Sequence, residues 1–408
     1  MQLSKWGVFI KNKVLNDFVN LITGILKKII IGFVSTTDPF QDRVSWSGTN
    51  YKLRESIERA GFDVQWIPYG HSLKSSILEL FIRVWNRVFR RNGRWLVRFH
   101  FRPLDKVWAK DIDANPKVRE CDYLFFPLGS QIALYTKIKK PFINLSGYTV
   151  PLMMDYYYFD ILERSKGMAI DMDRAASKEA FINIRSSDWA NDSLINDYHC
   201  DKNRCFVLEM GANIDTKDIK ENSPYNGGQL RILFSGVDWN RKGGDIAVEV
   251  VKIMRDKGID AHLIVVGPRK CPESCMGKPY VNFIGYYDKN NPSDYQKYID
   301  LYEQSHISLL PTKAECGAIV YSEAAAAGMP CYTYLTGGTG NYVINGVNGY
   351  ALPEGSSALD FAEQIIKDIN EGRLPKLREG AKKMFVERLS WEVWSNRFHD
   401  IMYTFVKS

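Results

Sequence analysis

Apolar residues follow two spacings along this chain of 408 residues. Short continuous apolar runs, typical of buried strands, are separated by segments in which apolar residues recur every three or four positions, as on helices that pack one face on a sheet. The first such series starts with runs at 28–35 and 62–67, and a second starts at 230–235. The sequence therefore predicts strands that alternate with helices in two separate series.

A polar segment rich in Gly, Pro and Asn separates the two series and predicts a linker. Two such series joined by a linker predict an α/β protein with two Rossmann-like, doubly wound domains that face a cleft. The expected parts are an N-terminal helical extension at 1–28 with its helix over 3–27, an N-terminal domain at 29–211, the linker at 212–229, a C-terminal domain at 230–385, and a helix at 386–408 that packs back toward the N-terminal domain.

The overall composition is that of an ordinary globular protein, with 45% hydrophobic and 25% charged residues and a net charge of +7. These values argue against wholesale disorder. Seven Cys are too few for a disulfide scaffold, and their spacing does not suggest a metal site. Without a secretory signal or an apolar run long enough to span a membrane, a cytoplasmic location is expected.

The positive charge is concentrated between residues 83 and 110, where nine Lys or Arg stand against one acid, Asp105. Read as one helix, positions 83 to 102 place the basic residues on one face and Trp and Phe on the other, which predicts a surface for anionic lipid. Gly93 offers the alternative that a helix ends there and a strand starts over 95–101, with the charge simply solvated. We find no nucleic-acid recognition motif and expect no nucleic-acid partner.

Candidate chemistry follows the strands of the second series, because ligands bind at the carboxyl ends of parallel strands. Arg241, Lys242, Gly243 and Gly244 stand between the 230–235 strand and a predicted helix. Glycines let a phosphate approach the backbone, and cations together with a helix N-terminus neutralise it. The alternative is a solvated turn.

Two carboxylates follow the 307–310 strand: Glu315 in the loop, and Glu323 about a turn into the helix that Gly317 opens. Both can face the same crevice, where one carboxylate can accept hydrogen bonds from sugar hydroxyls and the other can bind a ribose diol. The alternative is a loop acid and a solvent-facing helix acid, since pairs with this spacing are common in a chain that has 47 acidic residues.

With these residues in place, the chain resembles the retaining GT-B glycosyltransferases of family 4. The segment 315–330 resembles the Glu-x7-Glu signature of that family. The similarity spans about residues 29–360 and is strongest over 230–352. Further matching stretches, in the family's order, are Gly48-Thr49, Ser187-Asp188-Trp189, Gly211-Ala212-Asn213, Arg241-Lys242-Gly243, Gly337-Gly338 and Asn345-Gly346-Val347-Asn348-Gly349.

The resemblance implies a GT-B fold and transfer of a sugar, with retention of anomeric configuration, from a nucleotide-sugar, a UDP-sugar being favoured. The donor would be held by the C-terminal domain and a glycan or lipid-linked acceptor by the N-terminal domain, with no cofactor and no metal. The implied roles are neutralisation of the leaving diphosphate by Arg241 and Lys242, ribose binding by Glu323, sugar binding by Glu315 and the amides of Cys316, Gly317 and Ala318, and donor contact by Gly48 and Thr49.

Three positions depart from the family pattern. Val237 stands where the family often has a cation, Asn341 where it often has a carboxylate, and His100 is the nearest candidate for the histidine that many members carry near the acceptor. Two alternatives therefore stay open: a catalytically silent subunit that binds a nucleotide-sugar and supports a partner enzyme, or a GT-B sugar-nucleotide epimerase. The expected location is the cytoplasm, and the basic segment adds the expectation of peripheral attachment to the inner face of the cell membrane.

Overall fold

The structure is a computed structural model of the chain. It describes residues 28–89, 94–215, 217, 219–220, 224–317 and 319–406. The helix expected over 3–27, two of the clustered basic residues (Arg90 and Arg91) and the proposed sugar-binding residue Ala318 lie outside the described residues.

The first domain is built on a sheet of six parallel strands in the order β2-β1-β3-β4-β5-β6. Its central strands are buried on both faces, as expected of a parallel sheet covered by helices. The strands are β1 (Ile30–Ser35), β2 (Asp63–Pro68), β3 (Tyr123–Pro127), β4 (Phe142–Ser146), β5 (Ile182–Arg185) and β6 (Cys205–Val207). The covering helices are α1 (Thr49–Arg59), α2 (Leu73–Phe89), α3 (Arg102–Ala114), α4 (Lys117–Glu120), α5 (Val150–Met153), α6 (Glu163–Glu179) and α7 (Asp188–Asn196).

The basic segment is not one helix, so the prediction of a single basic face over 83–102 is wrong. Helix α2 ends at Phe89 and α3 begins at Arg102, with non-helical chain between them from residue 94 onward. The alternative strand over 95–101 is reduced to one isolated bridge between Trp95 and Ile161. The basic residues therefore lie on different elements.

The second domain repeats the architecture with a sheet in the order β12-β11-β10-β7-β8-β9, all parallel. The strand order reverses between β7 and β10, which opens a crevice at their carboxyl ends. The strands are β7 (Leu230–Ser235), β8 (Ala261–Val266), β9 (Val281–Gly285), β10 (Ile307–Leu310), β11 (Cys331–Leu335) and β12 (Gly349–Pro353). The helices are α8 (Gly244–Asp256), α9 (Pro292–Gln304), α10 (Ile319–Ala326), α11 (Ala358–Asn370) and α12 (Leu374–Glu387).

The helix that follows α12 packs on the first domain rather than the second. In α13 (Trp391–Val406), the ring of Phe398 stacks on Trp394 at 4.9 Å and meets Phe62 and Phe125 edge-on at 5.6 and 6.2 Å. These rings join the core beneath β1 and β3. The chain therefore crosses between the domains twice, once after β6 and once between α12 and α13.

Among the described residues, no helix is both long enough and apolar enough to cross a bilayer.

Candidate active site

A cleft of about 460 Å³ lies between the two domains, at the crevice of the second sheet. The turns after β7 and β8 and the start of α10 form one wall, and the segment before α1 forms the other. Five residues that the sequence nominated come together along this cleft, although they arise from two separate strand ends: Arg241, Lys242, Glu315, Gly317 and Glu323.

The glycines of the basic turn are required by the packing of the protein itself. Gly243 has φ +74°, and a side chain there would overlap the carbonyl oxygen of Pro311. A side chain at Gly244 would overlap the Trp239 ring. The glycine whose backbone lines the cleft is instead Gly236. It is in close contact with Gly267, where an added Cβ would lie 2.6 Å from the Gly236 carbonyl. The basic turn thus packs tightly against the loop after β10, and this contact fixes Arg241 and Lys242 at the cleft.

The two cations are already engaged with the protein. Lys242 forms an ion pair with the Glu315 carboxylate, and both side chains are about nine-tenths buried. Arg241 donates hydrogen bonds to the Tyr157 hydroxyl at 2.9 Å and to the Ala314 carbonyl at 2.8 Å. Its guanidinium also lies over the Tyr157 ring, 5.0 Å from the centroid. These contacts hold positive charge in place where an anion in the cleft would meet it.

Glu323 is buried in the cleft wall, only 2% exposed. One carboxylate oxygen accepts from Lys289 Nζ at 2.9 Å, and the other accepts from the hydroxyls of Tyr298 and Tyr302, both at 2.8 Å. Burial, followed by the charge of Glu323, raises the pKa of both phenols well above the ordinary value. Three acceptor positions of the carboxylate are therefore occupied within the protein, and about one remains for a ligand.

Lys289 lines the cleft and was not nominated from the sequence. It follows β9, so the rule that ligands gather at the carboxyl ends of strands could have drawn attention to it. Its ammonium group lies 4.4 Å from the centroid of the Tyr298 ring. Lys289 thus adds a further cation to the cleft wall beside Arg241 and Lys242.

Gly48 and Thr49 of the first domain lie next to residues that line the cleft. Neither Gly48 nor Thr49 is among the described cleft-lining residues; Trp46 and Ser47 are, both with positive φ. The Thr49 hydroxyl donates to the Trp46 carbonyl at 2.7 Å and accepts from Asn213 at 2.9 Å. Gly48 and Thr49 therefore position their neighbours at the cleft, and their expected contact with the donor stays a prediction.

A smaller pocket of about 160 Å³ adjoins the cleft and shares Tyr157, Glu315 and Gly317 with it. Its other wall belongs to the first domain and includes Gly147 and Tyr148. A Cβ at Gly147 would lie 3.2 Å from that of Cys316, so the domains are in close contact here. Burial raises the pKa of the Cys316 thiol, which therefore stays protonated.

Tyrosine hydroxyls link the loop after β10 to the first domain. The Tyr156 hydroxyl accepts from the Glu315 amide at 2.7 Å, and Tyr157 donates to the Ala314 carbonyl at 3.1 Å. Neither tyrosine was nominated from the sequence, because each precedes its partner by more than 150 positions. Their hydrogen bonds hold the two sides of the cleft together.

Of the three positions that departed from the family pattern, Val237 lines the cleft, whereas His100 and Asn341 have structural partners away from it. His100 is 4% exposed, with Nδ1 2.7 Å from the Phe99 carbonyl and Nε2 3.9 Å from Asp173. Burial lowers the pKa of His100, but the Asp173 carboxylate outweighs this effect and the pKa is raised. Asn341 exchanges two hydrogen bonds with Asp188 across the domain boundary, at 2.9 and 3.0 Å. The described residues include no cluster of three or more side chains suited to hold a metal ion.

Comparison with known proteins finds a family that matches the second domain. Residues 215–384 match the family model described as glycosyl transferases group 1. A stretch of 192 residues, 47% of this chain, is 28% identical to an uncharacterized glycosyltransferase of Methanocaldococcus jannaschii and covers 51% of it. The chain thus spans about half the length of that curated relative. The match to the family model shows that residues 215–384 are similar to the glycosyl transferases of group 1.

Solved structures cover nearly the whole chain. Sucrose-phosphate synthase from Thermosynechococcus elongatus superposes with a TM-score of 0.65 at 14% identity, over 93% of this chain and 100% of that one. Anabaena Alr3699/HepE in complex with UDP-glucose gives 0.60 at 15% identity, over 93% and 100%. The two six-stranded parallel sheets with their flanking helices therefore form a GT-B fold, which confirms the predicted fold class.

Proposed function

We propose that the protein is a retaining glycosyltransferase of family 4 that moves a sugar from a UDP-sugar to a glycan or lipid-linked acceptor. The observation that carries this proposal is the convergence of Arg241, Lys242 and Lys289 with Glu315 and Glu323 in one interdomain cleft. A solved neighbour of the same fold is a complex with UDP-glucose, which favours UDP as the nucleotide.

Cleavage of the bond between the sugar and the diphosphate leaves negative charge on the departing phosphate oxygen. Arg241 and Lys242 lie where they can stabilise that charge, and they do so best in a cleft that excludes water. Lys242 would then exchange part of its contact with Glu315 for the phosphate, which frees Glu315 to accept hydrogen bonds from the sugar. The acceptor hydroxyl attacks from the face of the leaving group and passes its proton to a donor phosphate oxygen, so the anomeric configuration is retained.

The adjoining pocket suits the reacting sugar and the acceptor, because the first domain closes it against Glu315, Cys316 and Gly317. Glu323, with its remaining acceptor position, would take a ribose hydroxyl. Because three protein cations supply the charge, we expect activity to persist in EDTA. Complete loss in EDTA with rescue by Mg²⁺ or Mn²⁺ would contradict that expectation.

The test is a panel of UDP-, GDP- and ADP-sugars, with binding measured by calorimetry and products by NMR. We expect UDP-sugars to bind and to release UDP, with a transferred or hydrolysed sugar that keeps its anomeric configuration. Lys242→Met should lower turnover by roughly 100-fold. Lys252→Met is the matched control, since the Lys252 side chain is half exposed on α8 and pairs with Glu249 at 3.2 Å.

Other outcomes distinguish the alternatives. A nucleotide-sugar that changes its sugar without release of the nucleotide indicates an epimerase. Binding without turnover against any acceptor indicates a silent subunit. If no nucleotide-sugar binds, the proposal fails.

A further inference from the structure

Helix α2 presents an apolar stripe to solvent. Six large apolar side chains repeat at three- and four-residue steps along one face, and each is between 48% and 77% exposed: Leu73, Ile77, Leu80, Phe81, Val84 and Val88. Single exposed apolar residues are common on protein surfaces, but a continuous stripe over four turns of one helix marks an interaction site.

The opposite face of α2 fixes the helix to the domain. Ile82 is buried there, and the Ser75 hydroxyl accepts from the Trp108 indole at 2.8 Å. Asn86 exchanges hydrogen bonds with the backbone of Leu96, at 2.9 and 2.8 Å. The exposed stripe is therefore held in place without contributing to the core of the fold.

Basic side chains border the stripe. Lys74, Arg83 and Arg87 are exposed on the helix itself. The single acid of α2, Glu79, pairs with Arg98 at 2.9 Å and lies 4.0 Å from Arg83. The border is thus net positive around an apolar centre, which is the pattern of helices that lie in the interface of an anionic bilayer.

A groove of about 690 Å³ runs from this helix toward the cleft. Its lining includes Asn86 and Arg87 of α2 together with Trp95 and Tyr157. Tyr157 is also a wall residue of the cleft, where its hydroxyl meets Arg241. The groove thus connects the C-terminal end of α2, rather than the stripe itself, with the candidate active site.

We propose that α2 binds an anionic lipid bilayer, with its apolar stripe among the acyl chains and Lys74, Arg83 and Arg87 at the lipid phosphates. Charge favours a bilayer over a second copy of this chain, because two such stripes in contact would bring their basic borders together. The docking itself is independent of the proposed function. That a lipid-borne acceptor reaches the cleft along the groove rests on the proposed function.

The test is flotation of the full chain with vesicles of phosphatidylcholine, with or without phosphatidylglycerol, at low and high salt. We expect binding to the anionic vesicles that weakens with salt. Leu80→Glu combined with Val84→Glu should weaken it by at least roughly tenfold. The matched control combines Leu359→Glu and Val386→Glu, which alter exposed apolar residues on α11 and α12 and should leave binding unchanged. A second variant, Arg83→Glu with Arg87→Glu, should abolish the preference for anionic vesicles.

Three results would overturn the proposal: no binding of the unmodified chain to anionic vesicles at low salt, equal binding by the Leu80/Val84 variant, or a dimer in solution that this variant converts to a monomer. UDP-sugar affinity, measured in parallel, should be the same in the variant and the unmodified chain. If vesicles bind but no nucleotide-sugar does, the proposed function fails while the docking stands.

Discussion

The buried ion pair between Glu323 and Lys289 predicts that Glu323→Ala destabilises the C-terminal domain. From the sequence, Glu323 is expected only as a ribose-binding residue. In the structure the Glu323 side chain is 3% exposed and the Lys289 side chain 15%, with 2.9 Å between the carboxylate oxygen and the ammonium nitrogen. The phenols of Tyr298 and Tyr302 complete the contacts of the carboxylate.

Removal of one partner of a buried pair costs about 3–5 kcal/mol, because the other charge stays buried without compensation. Two contacts reduce that loss here. The hydroxyls of Tyr298 and Tyr302 lie 2.9 Å apart, and Ser235 lies 3.1 Å from Tyr298, so the phenols keep partners. We therefore expect a loss of about 3 kcal/mol in the free energy of unfolding, the lower end of that range.

The measurement is urea denaturation followed by tryptophan fluorescence. The pair of Glu363 with Lys257 is the control, because it has nearly the same length, 3.0 Å, but its side chains are 57% and 43% exposed. Glu363→Ala should cost at most about 1 kcal/mol. Glu323→Gln keeps an acceptor oxygen for the phenols and should fall between the two. Equal losses in the free energy of unfolding for Glu323→Ala and Glu363→Ala would refute the argument that burial, rather than distance, determines how much the pair of Glu323 and Lys289 contributes to stability.

Two further predictions concern the N-terminal domain. Burial raises the pKa of Asp105 from the ordinary 3.8 to about 7, against the opposing effects of His100 and Gln131. Between those values the folded state keeps a proton that the unfolded state has released, so Asp105 should lower the free energy of unfolding by about 1.4 kcal/mol per pH unit as pH rises. Asp105→Asn should flatten that slope in denaturation experiments between pH 4 and 6, and an unchanged slope would exclude Asp105 as its source. Phe398→Ala should cost about 3–5 kcal/mol, whereas the exposed Tyr403→Ala on the same helix should cost about 0.5 kcal/mol; similar losses would contradict the packing of α13 on the first domain.

The sequence was sufficient to predict most strands and the loops that converge on the cleft. Strand ends can be located from apolar runs, and parallel topology brings those ends to one edge of the sheet. Strand β12 was missed because Gly349 and Pro353 bound it and the preceding residues read as a loop motif. Such a short edge strand has little apolar pattern of its own.

Side-chain partners across the cleft could not be predicted in the same way. Lys289 and Glu323 are 34 positions apart, and Tyr157 and Arg241 are 84 apart. The contact of Lys289 with Glu323 depends on how two loops of the second domain converge, and that of Tyr157 with Arg241 on how the two domains meet. Local periodicity encodes neither. The resemblance likewise identified the loop at Gly48 and Thr49 but not that Trp46 and Ser47 line the cleft, because a motif identifies a loop and not which of its residues face a cavity.

The location of α13 has a consequence for the order in which the chain can fold during synthesis. The second domain, from β7 to α12, is complete before Trp394 and Phe398 leave the ribosome. The first domain, although synthesised earlier, must wait for those rings to cover Phe62 and Phe125. Its nascent form therefore exposes an apolar surface while the later domain is being made, and this interval is when a chaperone would bind it.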